Sequence, residues 1–280
     1  MNISVILSTY DAPEWLEKVL WGYTVQSHRD FEIVVADDGS TGETARLLVR
    51  LRRETRLEIC HVWHEHRGFR KCTILNRAIV EARSDYLVFT DGDCIPHRDF
   101  LALHAALAKP GTMLSGGCVR LPMAVSRKIT PQDVVAGRAT SARWLWTQGM
   151  PLAWSLRMLA CGPTLRTLLD AATTTRATLN GCNSSAWADD VLRVNGFDER
   201  MEYGGLDREL GERLVNAGVR PRQIRHRAVC VHLDHARGYK QAGALARNLA
   251  IRRETRRTGS TWTPYGIYQE SQQLPLRRAA

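Results

Sequence analysis

Short apolar runs and amphipathic segments alternate over the first hundred residues. Each apolar run is typical of a buried strand, and such runs lie at Ile3–Leu7, Phe31–Ala36, Leu57–Val62 and Tyr86–Thr90. In the three gaps between them, apolar residues recur at the i, i+3 and i+4 spacing of a helix. Strands that alternate with helices predict an α/β fold in which helices pack on the faces of a parallel sheet.

The pattern changes in the second part of the chain. Residues from about 120 to 178 are rich in Trp and Arg, and we predict a mainly helical insert there, with an amphipathic helix over Pro151–Leu169. Residues 178–235 return to the composition of a compact fold. Residues 236–280 are basic, and we predict a helix as far as Thr258 followed by a tail that is compatible with either disorder or a packed segment.

Composition is that of an ordinary globular protein, with 44% hydrophobic residues in a chain of 280. The seven cysteines stand singly, without a Cys-x-x-Cys pair, which argues against a disulfide scaffold or a zinc ribbon and fits a reducing compartment. Met1 leads directly into the apolar run Ile3–Leu7, without a basic leader. We therefore expect a cytoplasmic protein.

The net charge of +10 is concentrated in two regions. Residues 120–180 hold eight Lys/Arg and two Asp/Glu, residues 236–280 hold nine and two, and the remainder is net negative. Such regions suit an anionic membrane surface or another polyanion, although solvated basic faces would look the same. The uncharged stretch Trp144–Leu156 is too short to span a bilayer, so any membrane contact is expected to be peripheral.

A pair of acids, Asp91 and Asp93, directly follows the fourth predicted strand with Gly92 between them. Two carboxylates at this spacing can converge on one hard cation when the turn is flexible. Such an ion neutralises the oxygens of a phosphate leaving group. The pair is also compatible with an ordinary turn, but its place after a buried strand favours a site for Mn²⁺ or Mg²⁺.

Polar residues follow the other predicted strands as well. Thr9 and Tyr10 end the first strand, and Asp38 follows the second. Ligands of open α/β sheets bind beyond the carboxyl ends of the strands, so we expect these side chains to contact a nucleotide. Asp38 is also compatible with a simple turn and helix cap. The basic turn Arg67–Lys71, at the start of the third helix, is typical of an anion site.

Taken in order, these motifs resemble the family 2 glycosyltransferases of the GT-A fold, which have a Rossmann-like, mostly parallel central sheet. The resemblance rests first on Val5–Tyr10, Val34–Ser40, Gly68–Arg70 with Asn76, and Phe89–Asp93. Later segments resemble the C-terminal half of galactosyltransferase-like and chondroitin-polymerase-like members, at Leu179–Trp187, Asn195–Asp198 and Gly204–Asp207. One domain over residues 1–235 is implied, with a nucleotide-binding half at 1–115 and an acceptor and catalytic half at 178–235.

The resemblance also implies roles for single residues. Nucleotide contacts fall on Thr9, Tyr10, Asp38, Arg70 and Asp91. Asp207 would be the catalytic base, and the metal ligands would be Asp93, Asp91, His232 and His235. The acceptor or donor sugar would meet Asn180, Asn183, Trp187 and Gly205, although Trp187 is equally compatible with core packing. Related enzymes usually carry Glu before the catalytic Asp, and Leu206 departs from that pattern.

The implied activity is metal-dependent, inverting transfer of a sugar from a nucleoside diphosphate sugar, usually a UDP-sugar, to an acceptor hydroxyl. The basic regions favour an acceptor near a membrane, such as a polysaccharide, a lipopolysaccharide core or a lipid-linked glycan of the cell envelope. We do not expect nucleic acid as a partner. The alternatives are a non-catalytic basic module for nucleic acid or membrane surfaces, a nucleotidyltransferase, and an inactive relative of the glycosyltransferases.

Overall fold

The computed structural model describes residues 1–151, 154–236 and 243–268, which form layers of helices around two sheets. The strands are β1 Ile3–Thr9, β2 Phe31–Asp37, β3 Ile59–Trp63, β4 Tyr86–Asp91, β5 Cys94–Pro96, β6 Thr112–Ser115, β7 Gly117–Arg120, β8 Ser184–Trp187, β9 Arg220–Gln223 and β10 Val229–His232. The α-helices are α1 Pro13–Thr24, α2 Gly42–Glu54, α3 Lys71–Glu81, α4 Phe100–Leu107, α5 Met123–Lys128, α6 Pro131–Val135, α7 Ala142–Thr147, α8 Arg157–Ala160, α9 Pro163–Ala172, α10 Ala188–Arg193, α11 Leu206–Asn216 and α12 Ala244–Thr258.

The central sheet has seven strands in the order β3-β2-β1-β4-β8-β6-β9. The first four are parallel, and β8 runs antiparallel to both β4 and β6. Because the chain leaves β1 toward β2 and later returns to β4 on the other side of β1, the strand order reverses between β1 and β4. Ligands of such sheets bind at this reversal point, beyond the carboxyl ends of the strands.

A second sheet of three strands, β5-β10-β7, continues from the end of β4. In it β10 lies parallel to β7 and antiparallel to β5. This small sheet brings the chain just after Asp93 next to the chain just before His232, because Cys94 and His232 are direct partners across β5 and β10. Residues nearly 140 positions apart in the sequence therefore meet at one edge of the molecule.

Apolar side chains fill both faces of the central sheet. Along β1, Val5 and Leu7 point into one core with α1 and α2, whereas Ile6 points into the opposite core with α3, α10 and α11. This is the alternation of a strand buried on both sides. The four strands predicted from apolar runs are all present, each within two residues of the predicted bounds.

The basic insert is helical, but its helices are short. The prediction of one continuous helix over Pro151–Leu169 is wrong. In the described part of this range the chain forms a 3-10 turn at Trp154–Leu156 and two short helices, α8 and α9. Gly162 and Pro163 separate the last two, since a proline favours the first position of a new helix and opposes helical geometry in the residue before it. Among the described residues, no helix is long and apolar enough to cross a bilayer.

The chain after residue 243 packs against the catalytic half. Helix α12 lies on α11, and Asn248 donates from Nδ2 to the carbonyls of Glu202, Tyr203 and Gly204 at 2.9, 3.2 and 2.9 Å. Beyond α12, the buried Ile267 joins the core under α3 and α11. Whether the tail folds was left open by the sequence, and these contacts anchor residues 259–268. Residues 269–280 lie outside the described part of the chain.

Candidate active site

Polar side chains converge where the parallel strands end. In the register of the sheet, Ser8 of β1 lies beside Asp91 of β4, and Thr9 lies beside Asp37 of β2. The Asp91 Oδ1 atom accepts hydrogen bonds from Ser8 Oγ at 2.7 Å and from Lys71 Nζ at 2.6 Å. The first predicted acid therefore sits at the reversal point of the sheet, already bound to a lysine.

Lys71 belongs to the basic turn that the sequence predicts as an anion site. Helix α3 begins with it, and its ammonium binds Asp91. Burial lowers the pKa of Lys71, but Asp91, Asp93 and Asp207 around it outweigh burial and hold that pKa above its ordinary value. Lys71 therefore remains a cation at the centre of three acids. Its position at a helix start, opposite a strand-end acid, was the available signal.

A carboxylate and two imidazoles form a second group at the edge of the small sheet. Asp93 Oδ2 lies 3.0 Å from His235 Nε2 and 3.6 Å from His232 Nε2, and the two rings stack at 5.5 Å. The three ligand atoms lie within 4.8 Å of one another. Burial raises the pKa of Asp93, but the hydrogen bond from His235 and the charges of both histidines outweigh it and lower that pKa. The structure thus brings both predicted histidines to the second predicted acid.

Asp207 stands in the first turn of α11, after the glycines that lead into the helix. Gly205 has a left-handed φ of 86°, which a glycine adopts without strain. The Asp207 Oδ2 atom accepts a hydrogen bond from the Gly181 backbone N–H at 2.9 Å. A Cβ on Gly181 would lie 4.0 Å from both Lys71 Nζ and Asp91 Oδ1. Gly181 therefore lies between the predicted base, Asp207, and the Lys71–Asp91 pair at the strand ends.

Enclosure by the protein changes the chemistry of Asp207. Asp207 is half-buried. Burial raises the pKa of Asp207, and the backbone N–H groups of Gly181 and Arg208 and the charge of Lys71 only partly offset that effect. A carboxylate with a raised pKa is a stronger base. Leu206, where related enzymes carry an acid, is buried in the core beneath the helix.

Two of the predicted nucleotide contacts, Tyr10 and Asp38, directly follow the ends of β1 and β2. Tyr10 is 44% exposed and stacks on His66, with ring centres 4.7 Å apart. Asp38 is buried, accepts a hydrogen bond from the Arg70 backbone N–H at 3.0 Å and pairs with His64 Nε2 at 2.7 Å. Asp38 therefore holds the loop from residue 64 to 70. This is a structural function, as in the alternative interpretation of Asp38 as part of a turn.

Two of the predicted sugar contacts need correction. Asn183 is fully buried, and its amide spans the sheets by donating to the carbonyls of Gly117 and Ala228 while His104 contacts its Oδ1. Its polar atoms are therefore occupied inside the protein. Trp187 pairs with Tyr86 at the start of β4, about 17 Å of strand from Asp91, and its ring packs edge-on against Tyr86.

Asn180 lies close to the acids but turns part of its amide inward. Its Oδ1 accepts hydrogen bonds from the Asn183 backbone N–H at 2.8 Å and from Cys182 Sγ at 3.2 Å. This arrangement fixes the turn at residues 180–183, which carries the Gly181 N–H that binds Asp207. Asn180 is thus placed to shape the site whether or not it also meets a sugar.

The strand-end acids, the reversal in strand order and the adjoining small sheet define a glycosyltransferase of the GT-A fold. A family model described as glycosyl transferase family 2 matches residues 4–152, over half of the chain. The chain belongs to glycosyltransferase family 2. A second model, described as the N-terminal domain of galactosyltransferase, matches residues 173–236. Both parts of the predicted family resemblance are therefore confirmed.

Similar curated proteins are glycosyltransferases as well. Two proteins named validoxylamine A glucosyltransferase, from Streptomyces hygroscopicus subsp. jinggangensis and subsp. limoneus, are each 30% identical over 258 residues. The matches cover 85% of this chain and 57% and 53% of the two relatives. The chain thus spans little more than half the length of these relatives.

Solved structures show the same fold at lower identity. The mannosyltransferase PcManGT from Pyrobaculum calidifontis, in complex with GDP-Man and Mn²⁺, has a TM-score of 0.56 at 23% identity, over 85% of this chain and 58% of that chain. A fragment of S. aureus TarS in complex with UDP-GlcNAc has a TM-score of 0.57 at 16% identity, over 85% and 60%. At these identities the likeness shows the GT-A fold alone.

The raised pKa of Asp207 gives a prediction about stability. Because its pKa is higher in the folded protein than in the unfolded chain, the wild type loses stability relative to Asp207→Asn as the pH rises through the folded-state pKa. We expect the melting temperature of the variant minus that of the wild type to increase as the pH rises from about 4 toward neutrality. Thermal unfolding across this pH range measures the difference.

Asp189→Asn is the matched control, because Asp189 is exposed on α10. Its melting curve should follow that of the wild type at each pH. A constant offset between Asp207→Asn and the wild type, or one that shrinks as the pH rises, would contradict the burial of the Asp207 charge.

Proposed function

We propose that this glycosyltransferase moves a sugar from a nucleoside diphosphate sugar to an acceptor hydroxyl, with inversion and with the help of a divalent metal ion. The observation that carries the proposal is the arrangement around Lys71. The Asp93 and His235 pair lies on the small-sheet side, and Asp207 lies on the α11 side. If the diphosphate of the donor binds at the strand ends, it would face Asp93 and His235, and the donor sugar would point toward Asp207.

The ligand atoms of Asp93, His232 and His235 fit a divalent ion. One carboxylate and two imidazoles, with the carboxylate of Asp91 nearby, suit Mn²⁺ and can also serve Mg²⁺. We assign Asp93, His232 and His235 to the ion, with Asp91 bound instead to Lys71 and Ser8. When bound, the ion neutralises negative charge on the diphosphate. A fold neighbour that was solved with GDP-Man and Mn²⁺ supports the use of a divalent ion.

Asp207 is placed for the proton transfer. In the proposed step, its carboxylate takes the proton from the acceptor hydroxyl, and the hydroxyl oxygen forms a bond to the anomeric carbon of the donor sugar. The bond from that carbon to the diphosphate oxygen breaks, and the nucleoside diphosphate leaves with the electron pair. A single base on the acceptor side produces one displacement and therefore inverts the anomeric centre. Lys71 supplies fixed positive charge beside the departing group.

For the donor, we propose a UDP-sugar. The exposed Tyr10 ring stacked on His66 offers a flat surface for a base beside the loop that Asp38 holds. A fold neighbour was solved with UDP-GlcNAc, which supports uridine, and the neighbour solved with GDP-Man makes guanosine the direct comparison. Titration with both nucleotides separates these choices.

For the acceptor, we propose a glycan that is part of a polysaccharide, a lipopolysaccharide core or a lipid-linked carrier. Leu206 is buried rather than presented to the site, so contacts to the acceptor must come from other side chains. The name of two relatives makes validoxylamine A the comparison compound. Transfer to validoxylamine A but to no glycan of an acceptor panel would replace the glycan proposal.

Metal-dependent donor binding tests the first assignment. Asp93→Ala removes a carboxylate that lies between two histidines, and we expect roughly 10- to 100-fold weaker metal-dependent affinity for UDP or the donor sugar. Isothermal titration with and without Mn²⁺ gives the affinities. Asp189→Ala, on the surface of α10, is the control and should bind as the wild type does. Unchanged Mn²⁺ dependence in Asp93→Ala would remove Asp93 from the metal site.

Replacement of the base tests the second assignment. Asp207→Asn keeps the shape and the hydrogen bond from Gly181 but cannot accept the acceptor proton, so we expect transfer to fall by about 10²- to 10⁴-fold. Nucleotide release in the presence of acceptor measures the rate, and the affinity for donor with Mn²⁺ should remain close to that of the wild type. Near-normal transfer by this variant would exclude Asp207 as the base.

A membrane-borne acceptor would be reached from the membrane surface, and we propose that the basic regions dock there peripherally. The part of the insert between residues 120 and 151 and helix α12 carry clusters of arginine, including the exposed Arg253 and Arg256 of α12. We expect the protein to sediment with vesicles that contain anionic lipid at low salt and to release as salt screens the charges. Vesicles of neutral lipid are the control. No sedimentation with anionic vesicles at low salt would exclude this docking.

A further inference from the structure

Four of the seven cysteines meet at one point behind the active site. Their positions are separated by 24 to 64 residues along the sequence, at Cys94, Cys118, Cys182 and Cys230. The Sγ atoms of Cys94, Cys182 and Cys230 lie within 4.8 Å of one another, and Cys118 is the direct partner of Cys230 on the neighbouring strand. We call these residues the four-cysteine cluster. Cysteine spacing along the chain does not reveal it, because its members come from four separate segments.

The small sheet explains why three of them face the same way. Cys118 and Cys230 are direct partners across the parallel strands β7 and β10. Cys94 is the partner of His232 in β10, and Cys230 lies two residues before His232, so both side chains leave the same face of the sheet. Cys182, in the turn before β8, closes the group from the other side.

From this convergence we propose that the four-cysteine cluster binds one zinc ion through its four sulfur atoms. Tetrahedral coordination with bonds of about 2.3 Å places the sulfurs about 3.8 Å apart, which agrees with the mutual distances below 4.8 Å among Cys94, Cys182 and Cys230. Cys118 would supply the fourth sulfur from its position beside Cys230. An iron–sulfur cluster would need a wider spread, because several irons and sulfides separate its cysteines. Four sulfurs around one point are typical of zinc among divalent ions.

Packing alone does not account for the cluster. Cys94 and Cys230 are fully buried. The thiols of Cys94, Cys182 and Cys230 donate to oxygen atoms of Asp93, Asn180 and Gly117 at 3.3, 3.2 and 3.6 Å, which are weak hydrogen bonds because a thiol is a weak donor. All seven cysteines are free in the structure, without a disulfide. A shared metal ion gives each sulfur a strong partner.

The cluster is a different kind of site from the one proposed for catalysis. Asp93, His232 and His235 offer oxygen and imidazole nitrogen, whereas the cluster offers only sulfur, which prefers a softer ion. The two are neighbours, since Cys94 follows Asp93 and its Sγ lies 3.3 Å from Asp93 Oδ1. Zinc in the cluster would therefore fix the segments that carry the catalytic metal ligands without taking part in sugar transfer.

Metal analysis of the purified full chain is the first experiment. After dialysis against a weak chelator to remove loosely held ions, we expect stoichiometric zinc, released when a mercurial reagent modifies the thiols. Substitution with Co²⁺ should produce the sulfur-to-cobalt charge-transfer band and the intense visible bands of a tetrahedral thiolate site. Both readouts use the wild-type protein, so neither depends on whether a variant folds.

Variants then separate the two neighbouring sites. Cys182→Ser changes the member that lies in a partly exposed turn, and we expect it to lose the zinc and the thiolate–cobalt bands. Cys161→Ser is the matched control, because Cys161 is half-buried at the end of α8 and outside the cluster. His235→Ala should keep the thiolate–cobalt bands, since it removes a ligand of the other site alone.

Three results would overturn the proposal. The first is wild-type protein that contains no zinc and binds Co²⁺ without a charge-transfer band. The second is loss of that band in His235→Ala with retention in Cys182→Ser, which would place the ion among Asp93 and the histidines. The third is a disulfide between cluster members, such as Cys118 and Cys230, found by peptide mapping of the protein purified without reductant.

Discussion

The ammonium group of Lys71 among three carboxylates is the interaction on which the active site depends. Asp91, Asp93 and Asp207 arrive from two different parts of the chain, and their charges would repel one another without a cation between them. Lys71 binds Asp91 directly, and Gly181 lies close to both while its N–H binds Asp207. The turn at Gly181 therefore connects the start of α11 with the acidic strand end, where Lys71 supplies the positive charge.

The sequence predicted the first half of the fold well because its signals are local. The strands β1 to β4 are continuous apolar runs, and the helices between them repeat their apolar residues at helical spacing. The small sheet was not predicted, because strands such as β5 and β7 have three or four residues and depend on partners far along the chain. The order of the segment around Ile267 could not be predicted for a related reason, since the residues that anchor it lie elsewhere in the chain.

The candidate site could be predicted where its residues lie in motifs. The acids after β4 were predicted from their place at a strand end and the histidines from the family resemblance, and the structure brings Asp93, His232 and His235 together. For Trp187 the sequence left sugar contact and core packing open, because a motif shows which residues are neighbours in sequence but not at which end of a strand each one lies. The four-cysteine cluster could not be predicted, since single cysteines reveal their convergence only after the sheets are assembled.

The position of α12 has a consequence for how such enzymes diversify. Asn248 binds three successive backbone carbonyls, from Glu202 to Gly204, immediately before the turn that presents Asp207. This helix lies beyond residue 236, where the second family model ends. The backbone leading into α11 is therefore held by a segment outside the family motifs, and a change in how α12 packs would alter the orientation of Asp207 while every motif stayed the same.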